Sequence, residues 1–176
     1  MILRKIKLFI KEQRGFFLTE MLASLAIAAI IGLGATFAIA QVMNQTTRNN
    51  DYTTASRHTL NAIQWISRDY QMAQTIVGWA GFPATDNLTL TWTEWDHTVN
   101  QVVYSVVDGQ LKRSYSVDGG APSVTLVAEY INSDAAMTNC ASDNVVLTLT
   151  ITGSVGAGST IVDVTKVCEI VSRPRL

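Results

Sequence analysis

The stretch YTTASRHTLNAIQWISRDYQMAQTIV, residues 52–77, decides the fold. Apolar or small side chains recur in it every three or four residues, while Arg57, Arg68 and Asp69 lie off that stripe. This spacing predicts a helix with one face buried against another layer of the protein. The stripe comprises Tyr52, Ala55, Thr59, Ile63, Ile66, Tyr70, Ala73 and Val77.

The same helix is predicted to begin well upstream, because the preceding sequence is apolar on every side. Phe16 to Val42 consists mainly of Leu, Ile, Ala, Phe, Val and Met, and no charged residue lies between Glu20 and Arg48. At about 1.5 Å per residue this stretch is longer than the roughly 30 Å hydrocarbon core of a bilayer. We therefore expect one helix from about residue 16 to residue 77, whose first half can span a membrane. The glycines and proline of GWAGFP, residues 78–83, predict its end.

The first 15 residues form a basic segment. They hold five of the 13 basic residues and one of the 14 acidic residues, so the remaining chain has 8 basic and 13 acidic residues and a formal charge of −5. The positive-inside rule places such a segment in the cytoplasm and the rest of the chain outside it. The basic character therefore gives no support to nucleic-acid binding by the rest of the chain.

Beyond Pro83 the apolar period changes to two, which is typical of strands. Leu88–Thr93 and Val145–Thr152 both contain apolar residues that alternate with threonines. Asp108-Gly109 lies between two alternating runs and predicts a two-residue hairpin turn, because both central residues of a type I′ turn need positive φ. The sequence thus predicts an α+β fold in which the long helix packs on an antiparallel sheet.

The two cysteines, Cys140 and Cys168, both lie in the part predicted to be outside the cytoplasm. That side is oxidising in most cells and a metal site would need more ligands, so we predict a Cys140–Cys168 disulfide. Glu94, Asp96 and His97 lie close together, but a solvated loop explains them better than a metal site. No histidine accompanies a serine or cysteine in a recognised arrangement, so the sequence predicts no catalytic residue, metal or cofactor.

The four tryptophans leave two interpretations open. They are either core residues between helix and sheet, which is the more common use, or parts of a partner surface, where exposed tryptophan is enriched. The residues concerned are Trp65, Trp79, Trp92 and Trp95.

Glu20 distinguishes the possible fates of the N-terminus. An ordinary secretory signal would be cleaved after Ala40, at the small-x-small site Ala38-Ile39-Ala40, but the apolar run is too long for such a signal. An uncleaved signal anchor would have to tolerate Glu20 near its cytoplasmic end. A carboxylate inside a membrane span is a functional-site candidate, and it should have a partner.

The sequence RGFFLTE, residues 14–20, resembles the processing site of type IV pilins and pseudopilins. The basic leader, the Gly15-Phe16 junction, the glutamate in fifth place from Phe16 and the long apolar run all match that pattern. Two further motifs look like minor pilins and the type J pseudopilin group. They are SRDYQMA, residues 67–73, and Tyr-x-x-x-Asp-Gly-x-Leu-x-Arg, residues 104–113.

This resemblance implies that a prepilin peptidase cleaves between Gly15 and Phe16 and N-methylates Phe16. It also implies a filament in which Glu20 pairs with the Phe16 amine of a neighbouring subunit. The implied partners are other pilin or pseudopilin subunits, the peptidase, an inner-membrane assembly platform and membrane lipid. The implied location is the inner membrane, crossed once with the C-terminal part outside the cytoplasm, and then a cell-surface or periplasmic filament.

Under this interpretation the chain is a pilin-like structural subunit and not an enzyme. It comprises a basic leader at residues 1–15, a transmembrane assembly helix at 16–43, an amphipathic helix at 44–80 and an antiparallel sheet domain at 84–176. The alternative is a secreted or membrane-anchored β-rich binding domain that never polymerises, with a signal sequence that is cleaved after Ala40 or left uncleaved.

Overall fold

The structure is a computed structural model. It describes the backbone of residues 2–143 and 146–171 and the side chains of residues 18–143 and 146–171. The chain forms two compact units, Met1–Thr47 and Arg48–Leu176. One helix, α1, spans Ile2–Met72, so it supplies the first unit and the beginning of the second.

Residues 2–47, the described part of the first unit, are all helical, and the side chains described there, from residue 18 onward, are all exposed. Within the described residues, α1 is the one helix long and apolar enough to cross a membrane. Hydroxyl groups in its apolar part bond to the helix itself: Ser24 Oγ donates to Met21 O at 3.0 Å, and Thr36 Oγ1 donates to Gly32 O at 2.9 Å. These bonds lower the cost of placing the two hydroxyls in hydrocarbon.

In the second unit, α1 has one buried face at the predicted spacing. Two members of the predicted stripe, Tyr52 and Val77, are exposed, and Ala73 is partly buried. The helical period is therefore confirmed for the middle of the stripe. The buried members are Ala55, Thr59, Ile63, Ile66 and Tyr70.

The helix ends at Met72, before the predicted end at residue 77. Strand β1, Thr75–Val77, follows instead. Three consecutive β-branched side chains favour an extended backbone, and the neighbouring strand offers hydrogen bonds there, since Gln74 N donates to Thr91 O at 2.8 Å. The predicted boundary of the amphipathic helix, 44–80, is therefore wrong at its C-terminal end.

The first sheet is an antiparallel meander of five strands in sequence order. The alternating burial of Leu88, Leu90 and Trp92 matches the predicted alternation with threonine. After β1, the strands are β2 (Leu88–Thr93), β3 (Val99–Val107), β4 (Gln110–Val117) and β5 (Ser123–Ala128).

The second sheet has three antiparallel strands in sequence order, so the predicted antiparallel strands are divided between two sheets. The connection after β5 leaves the first sheet at Tyr130, which has φ 61°, and then bonds to the second sheet. Ser154 N donates to Tyr130 O at 2.7 Å, and Asn132 N donates to Thr152 O at 2.9 Å. The strands are β6 (Asn139–Ser142), β7 (Val146–Val155) and β8 (Val162–Val171).

The helix and both sheets share one apolar core in the second unit. Gly153 on β7 lets the helix approach closely, because a Cβ atom there would lie 2.7 Å from Thr59 Oγ1 and 2.9 Å from Ala55 O. Core side chains from all three layers include Ile66, Tyr70, Leu88, Leu90, Tyr104, Leu147, Leu149 and Ile151.

Candidate functional site

Asp69 is buried in the second unit, with 1% of its surface exposed. Its predicted position off the buried stripe is therefore wrong. The carboxylate accepts three hydrogen bonds: Tyr104 Oη donates to Oδ2 at 2.5 Å, and Arg113 donates from Nε to Oδ2 at 2.7 Å and from Nη2 to Oδ1 at 3.2 Å. Burial of this charge is possible because a cation and a hydroxyl meet it in the core.

The β3–β4 hairpin places the two partners of Asp69 side by side. Tyr104 and Arg113 are direct cross-strand partners, and the turn at Asp108-Gly109 lies midway between them. The φ angles of 51° and 74° at the turn confirm the predicted positive values. The spacing Tyr-x-x-x-Asp-Gly-x-Leu-x-Arg thus has a geometric reason: residues equidistant from the turn share one face of the hairpin.

The guanidinium of Arg113 also lies between two aromatic rings. Its Cζ is 5.3 Å from the ring centroid of Trp65 on α1 and 5.1 Å from that of Tyr115 on β4. Such cation–π contacts add to the two hydrogen bonds to Asp69 and fix the plane of the guanidinium. Helix and hairpin are therefore joined by an ion pair with a defined orientation.

The surroundings keep Tyr104 neutral and Arg113 charged. Burial raises the pKa of Tyr104, and the hydrogen bond and negative charge of Asp69 raise it further. Burial by itself lowers the pKa of Arg113, but the hydrogen bond and charge of Asp69 offset this and raise the pKa overall. The three side chains satisfy one another, so the arrangement can hold α1 against the sheet.

This cluster unites two motifs that the sequence analysis singled out separately. SRDYQMA supplies Asp69, and the Tyr-x-x-x-Asp-Gly-x-Leu-x-Arg run supplies Tyr104 and Arg113. The signal for the cluster was thus present in the two motifs, although the contact between them was not predicted.

No known protein family, curated protein or solved structure matches this chain.

The predicted processing and assembly residues all lie in the first unit. The backbone is helical at Gly15 and Phe16, whose side chains lie outside those described. Glu20 is exposed on α1, and within residues 18–143 and 146–171 no side chain forms an ion pair with it. The structure thus places Glu20 exposed on the apolar part of α1, and its pairing with the Phe16 amine of a neighbouring subunit stays a prediction.

Cys140 and Cys168 are free thiols, so the predicted disulfide is absent from the structure. Both residues pair with Leu149, one from β6 and the other from β8, and β7 therefore lies between them. Two strand spacings separate their Cα atoms by about 10 Å, beyond the roughly 7 Å that a disulfide can bridge. Burial raises the pKa of the Cys140 thiol to about 12.

The tryptophans divide between the two interpretations left open by the sequence. Trp92 is buried, and Trp65 and Trp79 pack against the core. Trp95 differs from all three because 91% of its surface is exposed. Core packing thus accounts for three tryptophans and leaves Trp95 without a structural explanation in the second unit.

Proposed function

We propose that this chain is a structural subunit, a minor pilin or minor pseudopilin, of a type IV pilus-like filament or type II secretion pseudopilus. The observation that carries the proposal is the residue pattern in the N-terminal part of α1. Gly15-Phe16, with Glu20 in fifth place from Phe16, precedes a stretch without charge as far as Arg48, in one unbroken helix. The meeting of the two further motifs at Asp69 gives the proposal additional support.

The proposed mechanism follows from the exposed apolar surface of the first unit. That surface is stable only in apolar surroundings, which membrane lipid supplies before assembly and the helices of neighbouring subunits supply afterwards. An ionised carboxylate costs about 2.5–3.5 kcal/mol at the centre of a membrane span and less near its end. Pairing Glu20 with the Phe16 amine of a neighbour offsets this cost and fixes the axial register between subunits.

Mass spectrometry of the mature protein tests the proposal directly. Cleavage by a prepilin peptidase predicts a chain that begins at Phe16 and carries one added methyl group. A chain that begins at Gln41 would instead support the secreted binding domain. An intact Met1 start would leave an uncleaved anchor, and either of these two results would overturn the proposed function.

The variant Glu20→Val tests the assembly step. We expect it to be cleaved after Gly15 and to insert at least as well as the wild type, yet to be missing from sheared filament fractions, because the neighbour's amine loses its partner. Glu20→Asp should be intermediate, since the charge is kept and the reach is shorter.

Ser24→Val is the matched control for this experiment. It replaces a nearby polar residue whose hydroxyl bonds only to its own helix, at Met21 O. It should enter filaments normally. Incorporation of Glu20→Val at the same level as Ser24→Val would rule out the assembly role of Glu20.

A further inference from the structure

The sequence contains two Asn-x-Thr tripeptides, Asn44-Gln45-Thr46 and Asn87-Leu88-Thr89. Asn-x-Ser/Thr, with any residue except proline in the middle, is the acceptor sequence for N-linked glycosylation. The transferase recognises the hydroxyl two residues after the asparagine, so both side chains must be accessible together. A three-residue pattern often occurs by chance, and the local structure of each tripeptide therefore decides whether it can be an acceptor.

Asn87 lies on the surface, outside the helices and strands. It is exposed and directly precedes β2. Its main-chain O lies against Gly78, so the backbone is held in place while the residue stays exposed. β1, the neighbour of β2, is only three residues long and forms the edge of the first sheet. An enzyme can thus approach Asn87 from beyond this edge.

Thr89, the hydroxyl residue of this tripeptide, is the second residue of β2. Leu88 between them is buried, and an extended backbone places the side chains before and after it together on the face away from the core. Within residues 18–143 and 146–171, neither the Asn87 amide nor the Thr89 hydroxyl has a hydrogen-bond partner. Both groups that the transferase needs are therefore available on one face.

The tripeptide at Asn44 has a different geometry. It lies inside α1, where side chains two positions apart point in directions about 200° apart around the helix axis. Thr46 Oγ1 donates to Val42 O at 2.9 Å, so its hydroxyl is already bound to the helix. Asn44 also follows Val42, the end of the apolar stretch, by about 3 Å of helix, which leaves little room above a membrane. This tripeptide is exposed, but it does not present its two groups together.

We propose that Asn87 carries an N-linked oligosaccharide and that Asn44 does not. The donor is an oligosaccharide attached through a diphosphate to a membrane lipid, and an oligosaccharide transferase on the outer side of the membrane catalyses the transfer. A bond forms between Asn87 Nδ2 and the anomeric carbon of the first sugar, while the bond between that carbon and the diphosphate oxygen breaks. The lipid diphosphate leaves with the bonding electrons, and the amide loses one proton to a base of the transferase.

The side of the membrane on which the second unit lies is the condition for this reaction. The positive-inside rule places the residues after the span outside the cytoplasm. This placement belongs to the proposed function and equally to the secreted alternative. The inference therefore rests on that part of the proposed function and is independent of cleavage after Gly15 and of filament assembly.

A sugar chain at Asn87 would also protect a free sheet edge. Thr89 pairs with Val77 of β1, whose side chain is 61% exposed, and within the described residues no strand pairs with the other side of β1. Unpaired groups on such an edge invite the addition of strands from other chains. A bulky, hydrated glycan two residues before Thr89 would block this approach.

Mass spectrometry of the full chain purified from its native cells tests the inference. We expect the intact mass to exceed that of the mature polypeptide by the mass of an oligosaccharide. The proteolytic peptide that contains Asn87 should carry this added mass and release sugar fragment ions. The peptide that contains Asn44 should have its unmodified mass.

Matched variants separate the sequence requirement from effects on folding. Asn87→Gln and Thr89→Val should each lose the added mass completely, whereas Thr89→Ser keeps the hydroxyl and should keep the added mass. Thr89→Val preserves a β-branched side chain at an outward-facing strand position, so β2 should still form. Asn44→Gln and Thr46→Val are the controls and should keep the full added mass. A Thr89→Val protein that keeps it would overturn the inference.

Every other result also counts against the inference. An unmodified Asn87, a sugar on Asn44, or a sugar linked to a serine or threonine would overturn it. The first residue of the mature chain, determined on the same sample, reports on the proposed function separately. A chain that begins at Phe16 without sugar would refute only this inference, and a chain that begins at Gln41 with sugar on Asn87 would refute only the proposed function.

Discussion

The two halves of α1 differ in what covers their apolar side chains. From Leu18 to Met43 every side chain is exposed, whereas between Ala55 and Tyr70 a stripe is buried under the two sheets. Both halves are α-helical, so the difference comes from what packs against each half and not from the secondary structure. The second half has its partner in its own chain. The first half is apolar all round and needs surroundings that lie outside the chain, which is the physical basis of the proposed membrane and filament states.

Removal of the Asp69 carboxylate should have the largest effect of these changes on the free energy of unfolding of the second unit. Asp69→Ala leaves the charge of Arg113 without a partner, and such a loss costs about 3–5 kcal/mol. Urea unfolding followed by tryptophan fluorescence measures the effect, because all four tryptophans lie in the second unit. The exposed neighbour Arg68 provides the control, since Arg68→Ala should change the unfolding free energy by less than about 0.5 kcal/mol.

A double variant sharpens this prediction. Asp69→Leu combined with Arg113→Met removes both charges, so it should cost less than Asp69→Ala alone. A double variant that is less stable than Asp69→Ala would show that packing, and not the unpaired charge, dominates the effect.

A pair of glycine substitutions compares the two halves directly. Gly153→Ala places a Cβ within 3 Å of Thr59 Oγ1 and Ala55 O, so we expect it to destabilise the second unit by about 1–3 kcal/mol. Gly34→Ala is the matched change in the first unit, where nothing lies within 4 Å of the new atom. It should leave the urea midpoint unchanged. Equal midpoints for the two variants would mean that the helix does not approach β7 as closely as described.

Alkaline pH should weaken the second unit through its buried acidic groups. Burial raises the pKa of Cys140 to about 12 and also raises that of Tyr104. The unfolded chain loses these protons near pH 8.5 and pH 10, so it binds fewer protons than the native state, and stability falls as pH rises. The expected slope is about 1.4 kcal/mol per pH unit for each group, and this stability is fully present below pH 8.

Unfolding measured between pH 8 and pH 11 gives this slope. Cys140→Ala should flatten the profile between pH 9 and pH 10, while Cys168→Ala, at a partly exposed position, provides the control. A Cys140→Ala profile as steep as that of the wild type would contradict the prediction.

Local patterns predicted the parts of the fold that depend on local chemistry. The helical stripe follows from the spacing of apolar residues, and the β3–β4 hairpin follows from Asp108-Gly109. The end of α1 was placed too late because Thr75–Val77 fits either a helical stripe or an edge strand. Only the presence of β2 alongside selects the strand.

The candidate site needed information that no single segment carries. Asp69 lies off the apolar stripe, so the helical period did not predict its burial, which becomes favourable only when Tyr104 and Arg113 reach it from the hairpin. The cysteine prediction failed for a related reason. Two thiols on strands of one sheet need adjacent strands to form a disulfide, and the sequence did not show that β6 and β8 lie on opposite sides of β7 in the sheet.

Two of the polar contacts between α1 and the sheets, which lie far apart along the helix, have a mechanical consequence. The Thr59 hydroxyl shares its one proton between Ala55 O of its own helix at 2.8 Å and Val164 O on β8 at 3.4 Å, and Asp69 binds Arg113 ten residues later, about 15 Å along the axis. A rod attached at one point can pivot, whereas a rod attached at two separated points resists both pivoting and sliding. A pull along α1 would therefore load both attachments together in shear, and the helix would transmit tension to the sheets without rotating on them.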